Sequence, residues 1–216
     1  MLSWKRRRIA DLPKPSMEDV RKRVRILVID DDENSFPLAL LRNEGYAIDH
    51  WPKVQSLKPL EEGFYDIIVL DIGGVAKEFS AEDGLGILEH IKERNPSQVV
   101  VAFSGLSFDL GKKKFWQLTD DMLAKPADAT KCKRVLDNLI EHRLSPQAYW
   151  SAIEVILKKA GVADNARRDL EDKLVQALGH KDREQVASVI RNIVKTSDTA
   201  ITAINVAIKL CALLGF

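Results

Sequence analysis

The sequence predicts an α/β chain: a doubly wound, five-stranded parallel sheet over residues 23–145, followed by a small all-α helical bundle over residues 146–216. Three observations carry this. Short, fully apolar runs of strand type recur at Ile26 to Ile29, Ile67 to Leu70 and Val99 to Phe103. Such runs are too short for confident helices and suit strands buried on both faces, as in parallel sheets. Helical patterns alternate with them, which is the signature of βαβ units. Beyond Ser145-Pro146 the strand-like runs stop and helical periodicity takes over.

In chain order, residues 1–22 form a basic arm. It carries Lys5 to Arg8, then Pro13 and Pro15, with a helical turn or two expected after Ser16. A basic run of this kind touches nucleic acid or anionic lipid in some proteins; more often it is a solvated tail or rests on an acidic face of its own protein. The first strand, Arg25 to Ile29, ends in Asp30, Asp31, Asp32 and Glu33. Adjacent acids repel unless a cation is present, and a hard ion such as Mg²⁺ prefers carboxylate oxygens. Ser35 to Glu44 is punctuated as a helix by Pro37 and Gly45. Tyr46 to Trp51 reads as the second strand, and Pro59 is expected to interrupt a short helix over Ser56 to Glu62.

The third strand leads directly into Asp71, at the edge where open α/β sheets bind ligands. Taken alone, Asp71 reads equally as a turn former or a helix cap. A polar loop from Gly73 to Asp83 follows, with Asp83 expected to cap a helix that carries Leu85, Leu88 and Ile91. The fourth strand runs into Ser104. After a helical region over Phe108 to Leu118, a short fifth strand, Asp121 to Ala124, ends in Lys125-Pro126. The helix Thr130 to Arg143 places Cys132, Val135, Leu136, Leu139 and Ile140 on one face.

Right-handed crossovers bring the residues that follow strands one, three, four and five to one sheet edge. Individually, the serine suits a turn, the lysine a solvated charge and the acids a helix N-terminal bias. Together they suit a phosphoryl group arriving on a carboxylate. In that reading Asp71 is the nucleophile, the acids hold Mg²⁺, and Ser104 and Lys125 bind the remaining oxygens.

The runs ending in Asp30-Asp31-Asp32, in Asp71-Ile72, in Asp83-Gly84, in Ser104-Gly105 and in Lys125-Pro126 resemble the signature of the receiver domain of bacterial two-component response regulators. The resemblance spans roughly residues 23–145. It implies a flavodoxin-like fold, Asp71 as phosphoacceptor and a sensor histidine kinase or phosphotransfer protein as donor. It also implies Asp31 and Asp71 as direct Mg²⁺ ligands, Asp30 acting through water and the main-chain oxygen of Gly73 completing the site. Ser104 and Lys125 would grip the phosphoryl group. Two departures stand out. The loop after Asp71 is enlarged, lacks the usual proline and carries Phe79. The family's switch aromatic, three residues before the lysine, is Met122 here.

From residue 146 four amphipathic patterns are readable. The first holds Ile153, Val155, Ile156 and Leu157; the second Leu170, Leu174, Val175 and Leu178, with Asp164 or Asn165 as cap; the third Val186, Val189, Ile190, Ile193 and Val194. The fourth, Asp198 to Leu214, is apolar nearly all round, with Asp198, Thr202, Asn205 and Lys209 as a narrow polar stripe. A bundle of this size is marginal alone, so packing on the receiver-like part or on a second copy is expected to support it, and a second copy or another protein is the expected partner of residues 146–216. No DNA-binding pattern is recognisable, which makes nucleic acid the less favoured partner, and His180 lacks the neighbours of a phosphotransfer histidine.

Two cysteines without metal-type spacing, no apolar leader and no span of membrane length predict a cytoplasmic protein. The expected function is a response regulator that turns over no external substrate and is therefore not an enzyme. The alternatives are a nucleic-acid-binding transcriptional regulator that uses the basic arm, and an unphosphorylated scaffold.

Overall fold

The structure is a computed structural model that describes residues 8–105, 113–194 and 197–216. Lys5 to Arg7 of the basic run, and the start of the helical region expected from Phe108, lie outside the described residues. The chain divides into two compact units, one of residues 17–141 and one of residues 1–16 together with 142–216.

The first unit is a five-stranded sheet in the order β2-β1-β3-β4-β5, every pair parallel. Its strands are β1 (Arg25–Ile29), β2 (Ala47–Trp51), β3 (Ile67–Asp71), β4 (Val99–Ser104) and β5 (Asp121–Ala124). This is the doubly wound sheet that the alternating pattern predicts, in the flavodoxin-like strand order that the resemblance implies. Every residue of β3 and β4 is buried, which explains why both read as unbroken apolar runs. The helices are α1 (Met17–Arg23), α2 (Leu38–Asn43), α3 (Lys58–Glu61), α4 (Gly84–Arg94), α5 (Lys113–Leu118) and α6 (Ala129–Arg143).

On α6, Cys132, Val135, Leu136, Leu139 and Ile140 are the buried residues, as their spacing predicts. Leu27, Ile68, Leu70, Leu88, Ile91 and Phe115 belong to one core layer. Pro59 does not interrupt α3: it occupies the helix's first turn, where an absent N–H removes no helical hydrogen bond. The other expected departure concerns Asp83, which flanks α4 without donating or accepting a side-chain cap.

The second unit holds α7 (Pro146–Lys159), α8 (Asp164–Gly179), α9 (Arg183–Arg191) and α10 (Ser197–Leu214). Ser145 caps α7 by accepting from the Ala148 N–H, and Asp182 caps α9 by accepting from Glu184 and Gln185. The flanking residue of α8 is Ala163, so neither Asp164 nor Asn165 supplies the expected cap.

The described part of the N-terminal segment packs within the second unit. Ile9 in the 3₁₀ turn Ile9–Asp11 is fully buried beside α7 and α8, and its N–H donates to Glu171 Oε1 at 3.1 Å. The expected polar stripe of α10 is also rearranged: Lys209 is buried, whereas Ile201 is 55% exposed. On α7, Val155 faces outward at 53% exposure rather than joining Ile153 and Leu157 inside. Burial pushes the Cys132 thiol up to about 12 and the Cys211 thiol up to about 11, as for unreactive core cysteines. Among the described residues no helix is long and apolar enough to cross a membrane.

Candidate functional site

Parallel pairing fixes which residues meet at the carboxyl edge of the sheet. Ile29 lies opposite Leu70, Asp71 opposite Phe103 and Ser104 opposite Ala124, so the segments leaving β1, β3, β4 and β5 emerge together. Ligand-atom candidates on Asp30, Asp31 and Asp71 all lie within 4.8 Å of one another. Asp30 is fully buried, Asp71 nearly so, and Asp31 is exposed.

Lys125 crosses this edge. Its Nζ donates to Asp30 Oδ1 and to Asp71 Oδ2, both at 2.6 Å, and stands 5.0 Å from the centre of the Phe103 ring. Its backbone N–H donates to the Ser104 carbonyl at 3.0 Å, which ties the lysine's strand end to the serine's. Ser104 is buried, at 4% exposure. Burial by itself would lower the Lys125 ammonium, but the carboxylates of Asp30 and Asp71 outweigh it and hold the group above its ordinary range. Burial pushes the Asp71 carboxyl up, against the opposing pull of Lys125 and of the Gly73 N–H, which donates to Asp71 Oδ1 at 3.3 Å. A buried carboxylate held by one lysine is poised for a cationic or electrophilic newcomer.

Sequence reasoning missed two residues that fix Asp30. Ser35 donates its hydroxyl to Asp30 Oδ2, while the Asp32 N–H donates to Asp30 Oδ1 at 3.1 Å. His50 Nε2 lies 2.8 Å from the Asp30 carbonyl oxygen. Ser35 sits five positions after Asp30 within a loop, with no pattern of its own. His50 reaches the site only because β2 pairs with β1.

The loop after Asp71 is packed and hydrogen-bonded. Val75 and Ala76 are buried, the Val54 N–H donates to the Val75 carbonyl at 2.8 Å, and Lys53 pairs with Glu78 at 2.5 Å. Phe79 is 42% exposed on this loop. The Asp-Gly pair at its end has a steric reason: a Cβ on Gly84 would stand 2.3 Å from the Asp71 carbonyl oxygen. Only glycine lets α4 begin against the main chain of Asp71. Met122 is 48% exposed on β5 and pairs in register with Ala102.

Three carboxylates against one ammonium leave surplus negative charge among hard oxygen donors, and that donor set fits Mg²⁺.

No family model matches the chain. The NtrX-like response regulator of Rickettsia bellii (strain RML369-C) is 39% identical to it over 87 residues, which are 37% of this chain and 17% of that protein. The NtrX-like response regulator of Rickettsia conorii (strain ATCC VR-613 / Malish 7) is 41% identical over the same length and shares. The match therefore spans 17% of the length of these curated relatives. Among solved structures, the CheY-like response regulator receiver domain protein from Methanospirillum hungatei JF-1 is 18% identical with a TM-score of 0.47, covering 56% of this chain and 95% of that one. The receiver domain of NtrX from Brucella abortus is 25% identical with a TM-score of 0.43, covering 54% and 98%.

Proposed function

We propose that this chain is a response regulator in which residues 17–141 form a receiver domain, accept a phosphoryl group on Asp71 and signal through the helical unit. The observation that carries the proposal is the meeting of Asp30, Asp31 and Asp71 with Lys125 at one sheet edge. Asp30, Asp31, Asp71 and the main-chain oxygen of Gly73 would hold Mg²⁺. Bound there, the ion would offset phosphoryl-oxygen charge.

An Asp71 carboxylate oxygen forms the new bond to phosphorus while the bond to the donor nitrogen or oxygen breaks. The donor is a sensor histidine kinase, a phosphotransfer protein or a small acyl phosphate. Lys125, held charged between Asp30 and Asp71, exchanges its Asp71 contact for a phosphoryl oxygen. The Ser104 hydroxyl binds another. Asp30 keeps its place through Ser35 and His50 and so keeps Lys125 aimed. The chain turns over no external substrate.

Output runs through protein contact. The α7 and α10 pair presents Val155 and Ile201, two exposed β-branched residues, which favours a second copy or a protein partner. Met122 offers no aromatic ring to rotate, so the state of Asp71 would be relayed by Ser104 and Lys125 alone.

The test is phosphate incorporation from acetyl phosphate with Mg²⁺, comparing wild type with Asp71→Asn and recording the oligomeric mass of each. Incorporation by wild type and none by the variant is expected. Equal incorporation by both would remove Asp71 as acceptor, and an unchanged mass on phosphorylation would turn the output reading toward a different protein.

A further inference from the structure

Asp83 has the sequence context of a helix cap but makes no cap. Its φ of +53° turns the residue into the left-handed region, which costs a non-glycine residue free energy and persists only where surrounding contacts impose it. The contacts here are two charge-assisted hydrogen bonds. Asp83 Oδ2 accepts from the Gly74 N–H and Oδ1 from the Ala76 N–H, both at 2.6 Å. The carboxylate thus bridges back across its own loop, which the Asp83 N–H also closes by donating to the Ser80 carbonyl at 3.1 Å.

Closure reaches the acidic cluster through Gly74. This residue has a φ of +87°, and a Cβ on it would stand 2.8 Å from Asp31 Oδ2, so the loop's main chain rests directly against the Asp31 carboxylate. Gly74 is joined to Gly73, whose N–H in turn holds Asp71 Oδ1. On the other side of Asp83, the Gly84 N–H donates to the Ile72 carbonyl at 3.2 Å. The Asp83 side chain and the Gly84 N–H together tie the end of the segment that leaves Asp71 back to its start.

We propose that Asp83 is a positioning residue for the cation site: its carboxylate fixes the Gly73-Gly74 main chain against Asp31, so divalent-cation affinity depends on a group that touches no cation. The inference rests on the metal reading above.

The test is calorimetric titration of MgCl₂ into the full chain, wild type against Asp83→Asn, with the thermal midpoint of each. An asparagine keeps the shape but has one acceptor oxygen for two N–H groups. It is expected to weaken Mg²⁺ binding by about tenfold, the equivalent of one charge-assisted hydrogen bond. Glu78→Ala, which opens only the exposed Lys53 pair on the same loop, is expected to leave Mg²⁺ affinity unchanged. Equal affinities for wild type and Asp83→Asn would overturn the proposal, as would an equal loss in Glu78→Ala. No Mg²⁺ binding by wild type would overturn the metal reading and this inference with it. Should Asp83→Asn fail to fold, amide hydrogen exchange in wild type decides: Gly74 and Ala76 should exchange more slowly with Mg²⁺ than without, and identical rates would refute the clasp.

Discussion

The two units of the chain differ in how much polarity they bury. Among the described residues, the buried polar and charged side chains Asp30, Ser35, Asp66, Asp71, Asn95, Gln98 and Ser104 all belong to the sheet unit, and only Lys209 belongs to the helical one. At the sheet edge the buried charges are held in fixed geometry by Lys125, Ser35 and backbone amides, an arrangement expensive to maintain and suited to chemistry. Exposed apolar side chains occur in both units: Leu40, Phe64, Phe79 and Met122 in the sheet unit, Val155 and Ile201 in the helical one.

The strongest way to break this contrast is Lys125→Met. Without Mg²⁺ it leaves Asp30 and Asp71 facing each other with no ammonium between them, and a loss of about 3 kcal/mol in urea unfolding is expected. Mg²⁺ should raise the variant's unfolding midpoint more than that of wild type, because the cation takes over the missing charge. An equal or smaller shift would mean that the acids do not form one site.

Ile9→Ala examines the boundary of the helical unit. Truncating a fully buried isoleucine should cost about 3 kcal/mol, read as a lower midpoint for the helical unit with acetyl phosphate uptake retained. No loss would return residues 8–16 to the status of a free arm.

Within the sheet unit, Asp137 provides a pH test away from the site. It accepts from Arg21 at 2.6 Å and from the Tyr46 hydroxyl at 2.5 Å. Burial alone would raise the Asp137 carboxyl, but these two partners hold it below the ordinary range. A depressed carboxyl contributes stability above its unfolded value, about pH 4, and loses it as pH falls through the depressed value. Asp137→Asn should therefore cost about 2 kcal/mol at pH 7 and progressively less at pH 3 and below. A cost independent of pH would contradict the ion pair.

The smallest stability change is expected from Ile201→Asp, within about 0.5 kcal/mol because the side chain is exposed. Its effect should appear instead in oligomeric mass or partner binding. A large stability loss would place Ile201 in the core.

Legibility followed the same division. Asp30, Asp71, Ser104 and Lys125 were readable because each terminates an apolar strand, and parallel topology leaves such residues one place to meet. Ser35 and His50 were not, since their roles arise from a loop turn and from strand pairing rather than from local pattern. Asp83 read as a cap because it precedes a glycine and an apolar run; its backbone conformation points the carboxylate into the loop instead. In α10 the apolar residues surround the helix, so hydrophobicity could not say which side faces inward, and tertiary packing buried Lys209 while exposing Ile201. Ile9 lay between a basic run and prolines, where no periodicity announces a core residue.

The most direct measurement of the central claim is the position of the phosphoryl group itself. Wild-type chain treated with acetyl phosphate and Mg²⁺, then reduced with borohydride and digested, should carry the reduced acyl group at Asp71 alone. Reduction at Asp30 or Asp31, or none at any carboxylate in a chain that binds Mg²⁺, would contradict the account.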